Sequence, residues 1–368
     1  MLFGRRSSST AVGLDLGSHS IKIVEIDHSG KMPQLVNYGI TELLPGAVVN
    51  GQVVQKEAVL EALGLLFDTS QIATRQINVA LNGTDVIVKT VQTDRMSSEE
   101  LQKTITWEAE QHVPFPLAEI SLDYQVLDPE GDGAHMNVLL VAAKRDLIEE
   151  KLALFEEASC DVMLVDVDTF ALLNALDANY DQPTEGCHCI VHFGNDSTHL
   201  SLVRRGLPIL TRNLPVGGKK LVEIIQGQLG ISEDEAYLTL YGEAAEPGPA
   251  AGGAGGAGAA TAPEAAAPRD IKPFLDTLLD DIAIGVNRAA AFLESTEDSG
   301  SINRIFLSGG CAIIPEISRL FEAKVGIPTE VANPLNKIGA KSGLFQAEPV
   351  EKVAPNLMLA IGLGLRQP

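Results

Sequence analysis

The sequence lacks any apolar run approaching the roughly 20 residues that a membrane-spanning helix needs. The nearest stretch, Leu357 to Leu365, is too short and broken by glycines, so it reads as a buried strand or helix. A basic balance is missing as well. Against 49 Asp and Glu stand only 27 Lys and Arg, a net charge of −22 with no Lys/Arg run, which argues against a nucleic-acid partner. Met1 to Thr10 carries two arginines but no apolar run behind them, so no secretory signal is expected and the protein is placed in the cytoplasm. Met1 to Arg6 reads as a frayed terminus rather than a membrane-surface anchor. Four cysteines are too few to suggest a disulfide framework in a chain of this length. Cys187, His188, Cys189 and His192 have the look of a metal site, but strand alternation splits them. Cys187 and Cys189 face one way and His188 and His192 the other, so the four cannot converge tetrahedrally.

What is present is an ordinary globular mix, 45% hydrophobic and 21% charged, in 368 residues, which implies two or more domains. The organising stretch is Ala11 to Ile26, AVGLDLGSHSIKIVEI: a strand, a tight polar turn and a second strand. Asp15, Gly17, Ser18, His19 and Ser20 sit at the turn, where glycine and small polar residues can turn backbone N–H groups toward an anion. Cys189 to Val203, CIVHFGNDSTHLSLV, repeats the pattern. His192 stands in the place of Asp15, Gly194 in that of Gly17, and Asn195, Asp196 and Ser197 in that of Ser18, His19 and Ser20. Such self-similarity implies two related halves presenting turns to one cleft. A third element, RIFLSGGCAIIP from Arg304 to Pro315, reads as a strand, a Gly309–Gly310 loop on which a flat base can lie, and a helix opening near Pro315. Two phosphate turns and a purine platform in this order resemble the actin/Hsp70/sugar-kinase superfamily.

Between these landmarks the pattern alternates between strand and helix. Leu35 to Leu43 reads as a strand stopped by Pro45-Gly46, and Val59, Leu60, Leu63, Leu66 and Phe67 as the buried face of a helix. INVALNG and VIVKTVQTD alternate as strands. Ser97-x-x-Glu100 is a capping box whose helix should bury Leu101, Ile105 and His112 and stop before Pro114. ISLDYQVLD and MNVLLVAA follow as strands, then a helix with Ile148, Leu152 and Phe155 inward, then CDVMLVDVDTFALLNAL as strand and helix. Gly217, Gly218 and Lys219 open a helix in the second half. Glu246 to Pro268 is rich in Ala, Gly and Pro, with little to bury.

The runs TWEAEQHVPFPLAEISLDYQVLD, VGLDLGSHSIKIVEI, VDVDTFALLNAL and NLMLAIGLGLR closely resemble the PilM family of type IV pilus assembly proteins, actin-like relatives of FtsA. The likeness runs from about Gly13 to Arg366 and breaks at the Ala/Gly/Pro stretch. It implies an α/β actin-like ATPase fold, two lobes around a nucleotide cleft with an inserted α+β subdomain of the FtsA type. Residues 10–76 would open subdomain 1A, 77–159 form the inserted 1C, and 160–184 return to 1A. Residues 185–228 would open 2A, 229–300 form 2B with a disordered loop at 244–269, 301–350 complete 2A, and 351–368 return to 1A.

The resemblance further implies ATP with Mg²⁺ between the lobes, held by residues 17–20 and 194–197, by Gly217, Gly218 and Lys219, and by Gly309, Gly310 and Ala312. Asp15 would orient the waters of the metal. Lys22 either reaches toward phosphate or faces solvent from its alternating strand. Two departures weaken hydrolysis more than binding: His192 stands where most of the superfamily has aspartate, and EDEAYLTLYG lacks the lysine usual in that helix. ATP is therefore expected to bind and to be hydrolysed slowly or not at all. The implied partner is the short cytoplasmic N-terminal tail of PilN, taken in a groove between 1A and 1C at the inner-membrane face, with other pilus components and motor ATPases as further partners. A small-metabolite kinase with Asp166 or Asp168 as base stays open as an alternative, as do FtsA-like and GspL-like readings. An FtsA-like chain would normally end in an amphipathic helix, for which Leu365 to Pro368 leaves no room, and a GspL-like one would run on into a membrane span.

Overall fold

The structure, a computed structural model, describes residues 9–83, 85–131, 133–241, 271–295 and 300–367. The Ala/Gly/Pro loop expected at 244–269 and the first eight residues lie outside these. In chain order the first half contains β1 (Thr10–Leu16), β2 (Ser20–Asp27), β3 (Gln34–Glu42), a small ribbon of β4 (Val48–Val49) and β5 (Gln52–Val53), α1 (Lys56–Ser70) and β6 (Gln76–Leu81). Then come β7 (Val86–Asp94), α2 (Ser98–His112), β8 (Ile120–Val126), β9 (His135–Lys144), α3 (Arg145–Glu157), β10 (Asp161–Val167) and α4 (Asp168–Asn179). The second half has β11 (Cys187–Phe193), β12 (Thr198–Arg204), β13 (Leu207–Leu214), α5 (Gly218–Leu229), α6 (Glu233–Tyr241) and α7 (Lys272–Ser295). It closes with β14 (Ile302–Gly309), α8 (Ile317–Val325), β15 (Thr329–Val331), β16 (Gly339–Ala340), α9 (Val350–Val353) and α10 (Met358–Gly364).

Two sheets repeat one topology. The first runs β3-β2-β1-β6-β10, with β16 added beside β3, and the second runs β13-β12-β11-β14-β15. In each, three antiparallel strands joined by tight turns are followed by two strands parallel to the first. The repeat read from the two glycine turns is thus a repeat of whole lobes, and the fold is the actin-like ATPase fold. β1 and β11 are central and buried on both faces, which is why they read as unbroken apolar runs rather than alternating ones.

A third sheet, β7-β9-β8, packs on α2 around its own small core of Val91, Leu101, Ile105, Ala109, Val138 and Leu140. Its helix starts at the expected capping box: the Ser97 hydroxyl accepts from the Glu100 N–H and the Glu100 carboxylate accepts from the Ser97 N–H. The inserted module is narrower than residues 77–159. β6 belongs to the first sheet, and α3 sends Leu154 and Phe155 into the first lobe's core, so the insert runs from β7 to β9. Two helix faces are also shifted from expectation. In α2 the third buried position is Ala109, not His112, which lies 3.2 Å from Lys89 at the surface. In α3 the buried residues are Lys151, Leu154 and Phe155, while Leu152 is exposed and Ile148 only part-buried. Apolar spacing alone predicted a helix face that the polar end of Lys151 in fact occupies. After β14 a single tight turn over residues 310–313 intervenes, and α8 opens at Ile317, just past Pro315.

Between the sheets lies a shared core. α4 and α10 pack there with Val24 and Ile26 from the first sheet and Ile190, Val203 and Phe306 from the second. Every residue of α10, MLAIGLG, is buried. The helix comes so close that a Cβ on Gly362 would meet the Ala171 carbonyl oxygen of α4, and one on Gly13 of β1 would meet that of Ala360. Both glycines are therefore required by approach rather than by backbone angle.

Gly362→Ala has no room to relax and should lower the thermal midpoint by several degrees, as overpacking commonly costs about 1–3 kcal/mol. Gly64→Ala, on the exposed side of α1 where an added Cβ meets nothing within 4 Å, should instead raise it slightly, read by calorimetry of the two variants.

Candidate functional site

The two glycine turns are built alike. Gly17 N–H donates to Ser20 O at 3.2 Å, and Gly194 N–H donates to Ser197 O at 3.0 Å. Each turn closes on its own glycine amide, so these two N–H groups serve the turn, and any anion is left to the amides that follow. The turns meet across the lobes. The His19 ring stacks on Tyr237 of α6 with centroids 5.3 Å apart, and the Asn50 N–H donates to Asp196 Oδ2 at 2.9 Å. The charges of Asp15 and Lys22 in the first lobe bear directly on His192 in the second. Gly309 joins them: its φ is +85°, and a Cβ there would strike the Phe193 carbonyl oxygen beside the second turn. The glycines at 17, 194 and 309 thus border one cleft.

Lys22, left open between phosphate and solvent, is part-buried and turned inward. Its Nζ lies 3.2 Å from Asp15 Oδ2 and 3.4 Å from the Ser20 carbonyl oxygen, folded over the first turn. Asp15 is only 7% exposed at the end of β1. Gly217 and Gly218 allow close backbone approach, since a Cβ on Gly217 would meet the carbonyl oxygens of both Gly194 and Asn195. The first amides of α5 are spent on that contact: Gly218 N–H donates to Gly194 O and Lys219 N–H to Asn195 O, each at 3.0 Å. The helix end therefore braces the second turn, and the Lys219 side chain is exposed. Gly310 begins the tight turn after β14, whereas the Ala312 side chain is buried in the second lobe's core.

Two residues here carried no signal in the sequence, Lys151 and His199, and Asp168 reads there only as a possible base. Lys151 of α3 is buried, donates from Nζ to the Ala80 carbonyl oxygen at 2.6 Å, and faces the charges of Asp168 and Asp15. Burial holds its pKa below the usual lysine value against those two carboxylates. Asp168, first residue of α4, is pushed up to about 7 by burial and then by Asp15, against the opposing pull of Lys151. Asp166 points elsewhere: it takes the Val167 N–H and lies 3.3 Å from Arg366 Nε. Of the two aspartates named as possible bases, only Asp168 therefore belongs to the cleft. The second is His199, whose Nε2 lies 3.0 Å from both Thr169 Oγ1 of α4 and Ser201 Oγ, a polar link between lobes. Lysine inside an amphipathic helix and histidine inside an alternating strand carry no sequence signal that separates them from surface residues.

His192 stands 3.0 Å from Ser308 Oγ through Nδ1, and burial lowers its pKa to about 4. It is neutral at pH 7 and adds no charge of either sign. Cys187 and Cys189 lie in the second lobe's core, while His188 packs edge-on against Phe306, 5.0 Å between centroids, in the opposite direction. The alternation argued against a four-ligand zinc site is what the strand displays. The cleft thus holds two carboxylates, Asp15 and Asp168, matched by two lysines, Lys22 and Lys151. A desolvated carboxylate pair of this kind suits a divalent cation, and the lysines suit phosphate oxygens.

The family model described as type IV pilus assembly protein PilM matches residues 13–242 and 259–368, skipping part of the Ala/Gly/Pro stretch. Among solved structures, the PilM–PilN type IV pilus biogenesis complex superimposes with a TM-score of 0.80 at 24% identity, over 97% of this chain and 99% of that one. Ethanolamine utilization protein EutJ from Carboxydothermus hydrogenoformans gives a TM-score of 0.52 at 14% identity, over 97% and 89% of the two chains.

Acidification tests the buried imidazoles. Burial lowers the His199 pKa from 6.5 to about 4, so between those values the unfolded chain binds more protons and stability falls as pH drops. From pH 7 to 5 this one group should remove about 2 kcal/mol, a loss absent from His199→Gln and read from urea midpoints at both pH values. Asp168, with its pKa raised, works in the opposite direction in both proteins and cancels in the comparison.

Proposed function

The chain belongs to the type IV pilus assembly protein PilM family, and from that premise we propose that it is a nucleotide-binding scaffold that captures the cytoplasmic N-terminal tail of PilN. The observation that carries this reading is the family match over both lobes and the insert, on a fold shared with a PilM–PilN complex. Among the described residues no helix is long and apolar enough to cross a membrane, so the protein would reach the inner-membrane face through its partners. Its place is the cytoplasmic side, beside other pilus components and motor ATPases.

ATP with Mg²⁺ is the ligand the cleft fits. The amides of Ser18, His19, Ser20, Asn195, Asp196 and Ser197 would receive the terminal phosphates, with Lys22 and Lys151 supplying positive charge. Asp15, with Asp168 beside it, would hold the hydrated cation, which supplies charge neutralisation to the phosphates. Neutral His192 contributes neither charge nor a base in ionised form, which favours holding nucleotide over rapid turnover.

The tail would bind on the first-lobe side. β10 is the edge of its sheet, with Met163 and Val165 exposed along it, and Leu152 of α3, the helix that leads into β10, is exposed as well. An extended peptide can pair with such an edge and seat alternate side chains in apolar sites. The net charge of −22 favours a basic tail and fast encounter.

Two measurements test the reading. A synthetic PilN tail peptide on resin should retain the protein from solution, and retention in neither the presence nor the absence of nucleotide would return weight to a kinase. In calorimetry, Mg-ATP should bind below about 1 mM, and Lys22→Ala should weaken it about tenfold, or about 1.4 kcal/mol. No heat at millimolar Mg-ATP would remove the nucleotide from the proposal.

A further inference from the structure

The likeness of the two glycine turns extends to the residue two places after each glycine. Counted from Gly17 and Gly194, whose amides close the turns on Ser20 and Ser197, position 19 answers to position 196. Both side chains cross to the other lobe. The His19 ring stacks on Tyr237 of α6, with its Nδ1 3.4 Å from the Tyr237 hydroxyl. Asp196 Oδ2 accepts the N–H of Asn50 at the tip of the β4–β5 ribbon, and Oδ1 takes the Asn195 side-chain amide at 3.3 Å. The side chains are thus spent on the opposite lobe, while the backbone amides stay with the turns.

The ribbon is shaped for this reach. Val48 is buried in the first lobe's core and pairs with Val53, which fixes the base. At the tip Asn50 and Gly51 have φ of +50° and +82°, the left-handed pair that a two-residue hairpin turn requires. A Cβ on Gly51 would strike the Asn82 side chain, and one on Gly83 would come within 3.3 Å of the Asn50 carbonyl oxygen. The tip therefore rests on the residues that follow β6, and Asn82 in turn hydrogen-bonds Asp168. Two residue pairs are too few to hold a ribbon in place by their own bonds, so the tip keeps its position through what it leans on. One of those supports, Asp196, belongs to the other lobe.

A carboxylate in a turn whose amides receive an anion opposes that anion unless something draws it aside, because like charges repel. The Asn50 N–H draws Asp196 aside, and does so only while the lobes are together. A ligand that reaches the amides of both turns has to enter between them, which parts His19 from Tyr237 and Asp196 from Asn50. We propose that these two contacts are paired clasps, one reaching out from each turn to the opposite lobe, that close over the cleft and set how fast its ligand is released. The identity of that ligand rests on the nucleotide reading above, whereas the clasps rest on the geometry of the protein alone. One stacked ring pair and one exposed hydrogen bond are each weak, which suits contacts that must open and close. Both bridge the same gap, so each holds the partners of the other at high effective concentration, and loosening one loosens both.

The test follows amide hydrogen exchange residue by residue in the whole protein without nucleotide. Asp196→Ala removes the acceptor of the Asn50 N–H and should speed its exchange at least about tenfold. The decisive variant lies on the other clasp: Tyr237→Leu should speed Asn50 exchange at least about threefold while the amides of β1 stay protected. Should Tyr237→Leu fail to fold, His19→Ser makes the same comparison from the first lobe. With a fluorescent Mg-ATP analogue, the double variant Asp196→Ala/Tyr237→Leu should release it at least about tenfold faster than the unmodified protein. Unchanged Asn50 exchange in a folded Tyr237→Leu protein, or unchanged release from the double variant, overturns the clasps. Failure of the analogue to bind the unmodified protein counts against the nucleotide reading alone, and the exchange comparison then decides the clasps by itself.

Discussion

Backbone meeting backbone around α10 is the contact on which the two-lobed arrangement depends. A seven-residue helix with no polar side chain is sealed on all sides, and only glycine at positions 13 and 362 lets β1 and α4 come near enough to seal it. Burying seven apolar or glycine residues gains hydrophobic free energy, but a larger effect is geometric. α4 is held between the two sheets, so its first residue, Asp168, is delivered to the cleft and its last, Asn179, to the Lys337 and Ile338 amides at the other end. One helix position thereby sets both ends. Close-packed interiors transmit such constraints because they leave few voids to absorb a shift.

The cleft is a study in charge held away from water. Asp15 keeps Lys22 at 3.2 Å, and Lys151 spends one donor on a carbonyl oxygen while facing two carboxylates. Burial, and after it the neighbouring Asp15 charge, holds the Asp168 carboxyl near 7. Around them three histidines are kept neutral by burial, His19, His192 and His199, so the imidazoles contribute hydrogen bonds and shape but no field. A protein of net charge −22 thus holds one buried and one part-buried lysine, Lys151 and Lys22, against these two carboxylates.

Much of this was legible in the sequence because it was written as local pattern. Asp15-x-Gly17-Ser18 and His192-x-Gly194-Asn195 announced two hairpins, and the structure extends their likeness to the identical closing bonds Gly17 to Ser20 and Gly194 to Ser197. Ser97 and Glu100 marked a helix start through a mechanism confined to four residues. What stayed hidden depends on tertiary packing. The buried side of α3 could not be read, because apolar spacing counts Leu152 inward and treats Lys151 as solvated, while the neighbouring cleft reverses both. The boundary of the insert was misplaced because β6 has the same alternation as β7, and only pairing tells that one joins β1 and the other joins β9. The Gly217–Gly218 pair reads as a ligand loop in the sequence, and the close approach of Gly217 to the Gly194 and Asn195 carbonyl oxygens could be seen only in the structure.

Position along β11 gives the last step. Three residues separate His188 from His192, and the strand between them is buried on both faces and bonded to β12 and β14 throughout. A segment held on both sides behaves as a rigid bar: it cannot yield at one end without carrying its neighbours. His192 touches Ser308 on β14 at the cleft, and Arg304 stands beside His188 at the other end, so the same two strands bear both sets of polar contacts. Anything that draws α4 toward the starts of these strands would then be felt at Asp168, since both lie on one helix packed against α10.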